Sequence, residues 1–459
     1  MAAALLLGGC TVTRVAPPPP ETAAAAYKEA GDWQRADPAA AVPDAWWTLY
    51  GDPVLDDLQQ RLLTGNQTLK VSLAQVASAR AAYDASTGAF FPTLGANAAY
   101  TRSGNPTAAT ALAPAGRSTS SAASLALSSS WETDLWGKLQ MARSGAQATL
   151  QASADQLAAA RLSAQALLAQ SYFSLRTSEA QIALYRRTVE AYRKALELAQ
   201  ARHAGGVAAS TDVLAAQTQL ASASAQLEAL IAQHAQTEHA IAVLLGVQPA
   251  ALQLAPAASP PRIPEVPAML PARLLERRPD IAAAQRQVAA AYAQIGIADA
   301  AFFPDLTLSA SAGFRGSGLA GLLTAPNRFW SLGPALTQAI FDGGARKLAS
   351  AQARAAADVA TANYRQVVLT GLQEVEDNLV LARQLALQAA HEQQALDSSR
   401  KNLEITLEQY RAGVVDYLSV ITAQAAALSA ENTLLAVRNS QLAAVNVLLK
   451  NIAGRWDPV

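Results

Sequence analysis

The residues able to do chemistry in this chain are few, and they point away from catalysis. The one cysteine, Cys10, closes the run Leu7-Gly8-Gly9-Cys10. A small residue before such a cysteine is the form of a bacterial lipoprotein signal-peptidase site, where the thiol takes a lipid. The apolar run from Ala2 to Leu7 is short and lacks the usual basic n-region, so an incidental thiol stays open as the alternative. A disulfide within the chain is excluded. The four histidines, His203, His234, His239 and His391, include no pair four apart. His234 and His239 are five apart and point in different directions on a helix. There is no second cysteine to share a zinc ion and no phosphate-binding glycine loop ending in Lys-Ser/Thr. Gly343-Gly344 lacks a third glycine at the right offset and reads as a strand-to-helix turn. Arg277-Arg278-Pro279-Asp280 reads as a helix start, with proline at the first position and an acid in the first turn. No catalytic, cofactor-binding or metal site is expected, and the chain is not expected to be an enzyme.

Composition narrows the class further. The 459 residues carry formal net charge zero, so no basic field attracts nucleic acid. Only 15% are charged, against roughly 25% in ordinary soluble domains. Alanine runs through every helical stretch, which suits long helices with small residues at their contacts. No stretch of about 20 apolar residues is present, so a membrane crossing would have to use strands.

What must position these residues is written twice. Phe90-Phe91-Pro92 returns as Phe302-Phe303-Pro304. A short helix precedes each copy, opened by Asn66-Gln67-Thr68-Leu69 and by Arg278-Pro279-Asp280-Ile281. A Ser/Thr/Gly-rich β segment follows each, closed by Asp134-Leu135-Trp136-Gly137 and by Phe341-Asp342-Gly343-Gly344. A long helix then runs to Gly205-Gly206-Val207 or to Ala412-Gly413-Val414, and a return helix follows. The spacing far exceeds the 20 to 50 residues of solenoid repeats and marks one tandem duplication.

The β segments alternate with a period of two. Leu306, Leu308, Ala310, Ala312 and Phe314 interleave with Thr307, Ser309, Ser311 and Gly313, and a strand around Phe329 to Phe341 is expected to return. Leu94 to Thr101 and Leu125 to Trp131 take the same roles in the first copy. This is the pattern of a barrel strand with one face to lipid and one to a lumen; an amphipathic soluble hairpin alternates in the same way. Four strands cannot close a barrel, and open edges cannot face lipid. A membrane-spanning version therefore needs several chains.

Seven-residue spacing runs through the long helices: Leu168, Leu175, Ile182, Val189, Leu196 and His203, then Leu348, Ala355, Ala362 and Leu369, then Leu396, Leu403 and Tyr410. It implies left-handed packing against neighbours. The helix from Gln140 to Ala204, about 65 residues, spans roughly 100 Å. The expected organisation is a signal remnant at 1–10, a tether and equatorial segment at 11–64, repeat one at 65–249, a proline-rich linker at 250–272, repeat two at 273–455 and a tail at 456–459. Trp46 and Trp47 read as packing anchors, and Asp52-Pro53 as a helix start.

Together these residues resemble the TolC family of outer-membrane efflux proteins, and within it the lipid-anchored branch called NodT-like. The match runs from Cys10 to Trp456. It rests on Trp46-Trp47 with Gly51-Asp52-Pro53, on Leu275-Glu276-Arg277-Arg278-Pro279-Asp280-Ile281, on the paired Phe-Phe-Pro, and on Tyr410-Arg411-Ala412-Gly413 with its partner Arg202-His203-Ala204-Gly205-Gly206. Thr11 after the cysteine is similar to lipoproteins sorted to the outer membrane.

The resemblance implies a mixed, predominantly α fold. Long antiparallel coiled-coil helices would build an α-barrel through the periplasm, and four strands per chain would join a trimeric 12-stranded outer-membrane β-barrel. It implies a homotrimer serving as a passive exit duct for small molecules, docked through a periplasmic adaptor to an inner-membrane pump. Gly205, Gly206 and Val207, with Gly413, Val414 and Val415, would be the periplasmic tips that meet the adaptor. Several relatives close the tip with carboxylates beyond the second turn. Here that stretch reads Ser419-Val420-Ile421-Thr422, which leaves Asp212 and Asp416 as gate candidates. A type I protein-secretion duct and a non-conducting periplasmic coiled-coil scaffold are the other readings.

Overall fold

The computed structural model describes residues 15–19, 28–30, 45–107, 116–257, 261–264 and 278–452. Cys10, Arg277 and Trp456 lie outside them. The chain divides into two compact units, one built on 75–153 and 283–364, the other on 21–74, 154–282 and 365–459. Seven α-helices are described: α1 (Pro53–Gly65), α2 (Gln67–Gly88), α3 (Lys138–Ala204), α4 (Ser210–Leu244), α5 (Pro279–Ala300), α6 (Ala345–Arg411) and α7 (Tyr417–Ile452).

The first unit holds a single antiparallel sheet of β1 (Thr93–Thr107), β2 (Gly116–Thr133), β3 (Asp305–Gly316) and β4 (Arg328–Thr337), in that spatial order. The expected hairpins form, but β1 and β2 run further outward than the apolar alternation did. Ladder pairing continues from Arg102↔Ser121 to Thr107↔Gly116, where Ser, Thr and Gly leave no apolar signal. β4 stops at Thr337. Gln338 Nε2 donates to the Phe302 carbonyl at 2.9 Å, and Asp342 then accepts from Gly344 N–H, turning the chain into α6.

Both Phe-Phe-Pro corners are clamped by indoles. Trp131 Nε1 donates to the Phe90 carbonyl at 2.9 Å and Trp136 Nε1 to the Pro304 carbonyl at 2.6 Å, while Trp136 stacks on Phe303 at 5.0 Å. Proline has no N–H to continue a helix, so the corner converts helix to strand, and the indole satisfies a freed carbonyl. At the start of α3, Asp134 accepts from the N–H groups of Leu139 and Gln140.

In the second unit Trp46 and Trp47 are buried edge to face, and Tyr50 packs on Phe173 with ring centroids 4.6 Å apart. Leu55, Leu58 and Leu62 of α1 join Leu168, Leu175, Ile241, Leu448 and Leu449 in one core. Asp52 caps α1 by accepting from Val54 N–H at 2.9 Å and Leu55 N–H at 3.3 Å, and it also accepts from the Tyr172 hydroxyl at 2.6 Å. Burial and this bond push the Tyr172 phenol up to about 12. Asp52→Ala removes the cap and the phenol's acceptor together, so thermal or urea unfolding should show a loss of about 1–2 kcal/mol. The N–H groups of Lys28 and Glu29 donate to the Glu376 carboxylate at 2.7 and 2.9 Å, fastening this part of the N-terminal segment to α6.

Within the single chain Leu348 and Leu369 of α6 are exposed, and a second seven-residue series, Ser350, Ala357 and Tyr364, is buried. An alanine-rich helix carries sevenfold spacing on more than one face, and partners decide which face closes. By length and composition alone α7 could cross a membrane. Its Leu442, Val445, Leu448 and Leu449 lie in the core, and its Glu431 binds Arg187 and Arg400 at 3.0 and 2.6 Å. It is a packing helix.

Candidate functional site

Two helix reversals sit in the second unit, and they are built alike. After α3 the N–H of Val207 reaches back to the Arg202 carbonyl and that of Gly206 to the His203 carbonyl, both at 2.9 Å. After α6 the N–H of Val414 reaches the Gln409 carbonyl at 2.9 Å and that of Gly413 the Tyr410 carbonyl at 3.1 Å. Gly206 and Gly413 both take φ 75°, the left-handed conformation this paired closure demands and that glycine adopts without a steric cost. Gly205 is not at positive φ, so its glycine identity is not required by the turn.

The reversals leave Val207 and Val414 exposed at 68% and 71%. Val415 turns the other way and packs on a small core of Ala199, Ala216, Tyr410, Tyr417 and Val420. Asp416 caps α7, accepting from Ser419 N–H at 2.9 Å and Ser419 Oγ at 2.7 Å, and these bonds hold its carboxyl below the usual range. Asp212 lies in the first turn of α4, where the helix dipole favours a carboxylate. Position Ala209 offers no side-chain cap, so the two copies solve their helix starts differently.

Residues without an assigned role in the sequence hold the two reversals together. Arg202 Nη1 donates to the Tyr410 carbonyl at 2.9 Å, and its guanidinium lies 4.6 Å over the Tyr410 ring. Tyr410 and Tyr417 pack with centroids 5.6 Å apart. Burial, with the charges of Tyr410, Tyr192 and Asp212 nearby, pushes the Tyr417 phenol up to about 12. The matched positions Tyr410 and Arg202 were visible as a repeated motif. Their contact was not, because it joins residues 208 positions apart.

In the first unit the ladder register decides the faces of the sheet. Opposed residues share a face. The pairs Leu94↔Ser129, Ala96↔Leu127, Leu125↔Phe314, Trp131↔Leu308, Ala310↔Leu332 and Ala312↔Trp330 put the large apolar side chains together. The pairs Asn97↔Ala126, Ser130↔Ser309 and Ser311↔Ser331 put small polar ones on the other side. Trp330, Leu332 and Leu336 are 66–79% exposed. Among the described residues, β1 pairs only with β2 and β4 only with β3, so both outer edges are open there.

The Arg-Arg-Pro-Asp motif is structural. Arg278, 7% exposed, donates bidentately to Asp280 at 3.1 and 2.7 Å and also to Glu374 at 2.9 Å and Asn451 at 3.0 Å. Pro279 opens α5, as the sequence indicated. Among the described residues no cluster of three His, Cys, Asp or Glu is arranged to hold a metal ion.

Comparison with known proteins decides what this sheet, with its apolar band, and the long helices and reversals belong to. The family model for outer membrane efflux protein matches residues 58–247 and 270–454. This chain belongs to that family. The efflux protein is 31% identical over 466 residues to the solvent efflux pump outer membrane protein SrpC of Pseudomonas putida, covering 100% of this chain and 98% of that one. It is equally similar, 31% over 469 residues, to the pyoverdine export outer membrane protein OpmQ of Pseudomonas aeruginosa, with 100% and 96% covered. Among solved structures it is similar to the outer-membrane channel OprN, with TM-score 0.87 and 29% identity over 97% of this chain and 100% of that one. The efflux protein is thus an outer-membrane exit duct of an efflux pump, with the mixed α and β fold of the TolC-like channels.

Proposed function

We propose that the efflux protein acts as a homotrimer carrying small organic molecules outward, docked through a periplasmic adaptor to an inner-membrane pump. The observation that carries this reading is the sheet: one apolar face, one small polar face, and two open edges. Unpaired edges are not tolerated in hydrocarbon. Three copies contribute twelve strands, within the range that closes a membrane barrel, with apolar faces to lipid and polar faces to the lumen. Segments 65–249 and 273–455 act as two copies of one unit joined by the linker 250–272. Cys10 carries the lipid that anchors the tether of 11–64 in the outer membrane.

The tips Gly205, Gly206 and Val207, with Gly413, Val414 and Val415, meet the adaptor. The exposure of Val207 and Val414 supports this, since nothing within the described chain covers them. Asp212 and Asp416 from three copies form carboxylate rings at the closed end. Energy comes from the pump, and this chain supplies the path.

Mild crosslinking in intact cells, followed by detergent purification, tests the assembly. The expected co-purifying proteins are a periplasmic adaptor and an inner-membrane pump; recovery of this chain alone, with vesicles impermeable to ions, would favour the scaffold. Planar-bilayer recordings test the rings. Asp212→Asn with Asp416→Asn should reduce cation preference and raise resting conductance, and unchanged values would reject the gate role.

A further inference from the structure

The loop 317–327 between β3 and β4 does not stand clear of the sheet. Gly316, the last residue of β3, pairs with Ala123 on the apolar face, because it continues the series Phe314, Ala312, Ala310. A Cβ built on Gly316 would lie 3.3 Å from Nδ2 of Asn327 and 3.5 Å from Cδ1 of Leu322. Leu322 is 9% exposed and Ala123 only 1%. The loop therefore folds back over the apolar face and leaves the polar face uncovered. Its shape is internally fixed: Thr324 Oγ1 donates to the Gly321 carbonyl at 2.7 Å and Asn327 Nδ2 to the same carbonyl at 2.9 Å.

This fold buries Leu322 and turns Leu319 and Leu323 outward, 68% and 65% exposed. Arg328 follows directly, opposite Phe314 on the apolar face, and no ion pair to it is found among the described residues. Apolar side chains continuous with a lipid-facing band, edged by an unpaired cation, match acyl chains edged by anionic headgroups. We propose that this loop is a membrane wedge: Leu319 and Leu323 enter the acyl layer of the outer leaflet, and Arg328 binds a lipid phosphate. The inference rests on the reading above that the apolar face of the sheet meets lipid.

Nitroxide labels test it at Leu319→Cys, Leu323→Cys and Leu332→Cys, each in the otherwise unchanged chain, with the label-treated unsubstituted chain as the background control. The protein is reconstituted in phosphatidylethanolamine–phosphatidylglycerol vesicles, and collision with oxygen is compared with collision with a water-soluble nickel chelate. Oxygen-dominated relaxation at all three positions is the expected result. Nickel-dominated relaxation at 319 and 323, with oxygen still dominant at 332, overturns the wedge and leaves the lipid-facing sheet intact. Nickel dominance at 332 overturns the underlying reading. Labels at 319 and 323 shielded from both reagents would mean a neighbouring copy covers the loop, which also overturns the wedge. Arg328→Gln should lower the phosphatidylglycerol retained per protein after detergent extraction, and unchanged retention overturns the assignment to Arg328.

Discussion

Asp280→Asn combined with Glu374→Gln should destabilise the efflux protein by about 3–5 kcal/mol, the cost of stranding a buried charge. Arg278 is the buried member of this group, and both carboxylates that neutralise it are more exposed than it is. Replacing them leaves a desolvated guanidinium with only neutral amide oxygens, that of Asn451 among them, for partners. Adding Arg278→Met should recover much of the loss, because a buried ion group replaced whole by an apolar side chain is close to neutral. Denaturant unfolding of the three variants separates this from a nonspecific defect: if the triple variant is no better than the double, buried charge is not the cause.

The same group sets an acid limit. Burial raises the Asp280 carboxyl, but its bonds to Arg278, the Arg278 charge, the Ile281 N–H and the Lys450 charge outweigh that, and the folded value falls below the ordinary 3.8. A carboxylate lowered by folding stabilises the protein fully above its unfolded value, and the contribution is lost as pH falls through the folded value. Stability should therefore be flat through neutral pH and fall below about pH 4. Asp280→Asn should flatten that acid limb in a pH series of unfolding midpoints.

Gly313→Val should abolish the assembled channel. A Cβ at Gly313 would fall 2.2 Å from the Leu125 carbonyl oxygen and 2.6 Å from Cα of Ala126. Both are backbone atoms of the neighbouring strand, so no rotamer change relieves the contact. The loss should exceed the ~1–3 kcal/mol typical of overpacking that side chains can absorb. The damage falls on the β2–β3 ladder, where Gly313 pairs with Ala126 and the two sequence repeats are joined. Gly333, on the same face of β4, has nothing within 4 Å of an added Cβ. Gly333→Ala should therefore assemble normally. The readout is oligomer mobility on a semi-native gel together with bilayer conductance, and a conducting Gly313→Val trimer would refute the steric argument.

Much of this architecture is local and so was legible in the chain. The alternation from Leu306 to Phe314 sets the two faces of β3, because side chains on a strand alternate. Pro53 and Pro279 open helices because proline fits a first turn. Gly206 and Gly413 mark the reversals because few other residues take a positive φ. The hydrogen bonds that close the chain after α3 and after α6 are paired in the same way, at the two positions where the sequence repeats its glycine motif.

Partners across the fold were another matter. Nothing local distinguishes the buried series Ser350, Ala357 and Tyr364 from Leu348 and Leu369, which are exposed within the single chain, since both are sevenfold patterns in an alanine-rich helix. That Asp416 caps a helix is seen only once Ser419 N–H is found donating to it. Arg278 looked like an ordinary basic residue at a helix start, and only packing buries it against Glu374 and Asn451. Periodicity and backbone propensity are properties of neighbours in sequence, and they set the elements, whereas the class of protein came from the resemblance of its motifs to a family. The choice of face to bury, of charge to neutralise and of side on which the β3–β4 loop lies depends on atoms tens to hundreds of residues apart, and the tertiary structure alone brings those together.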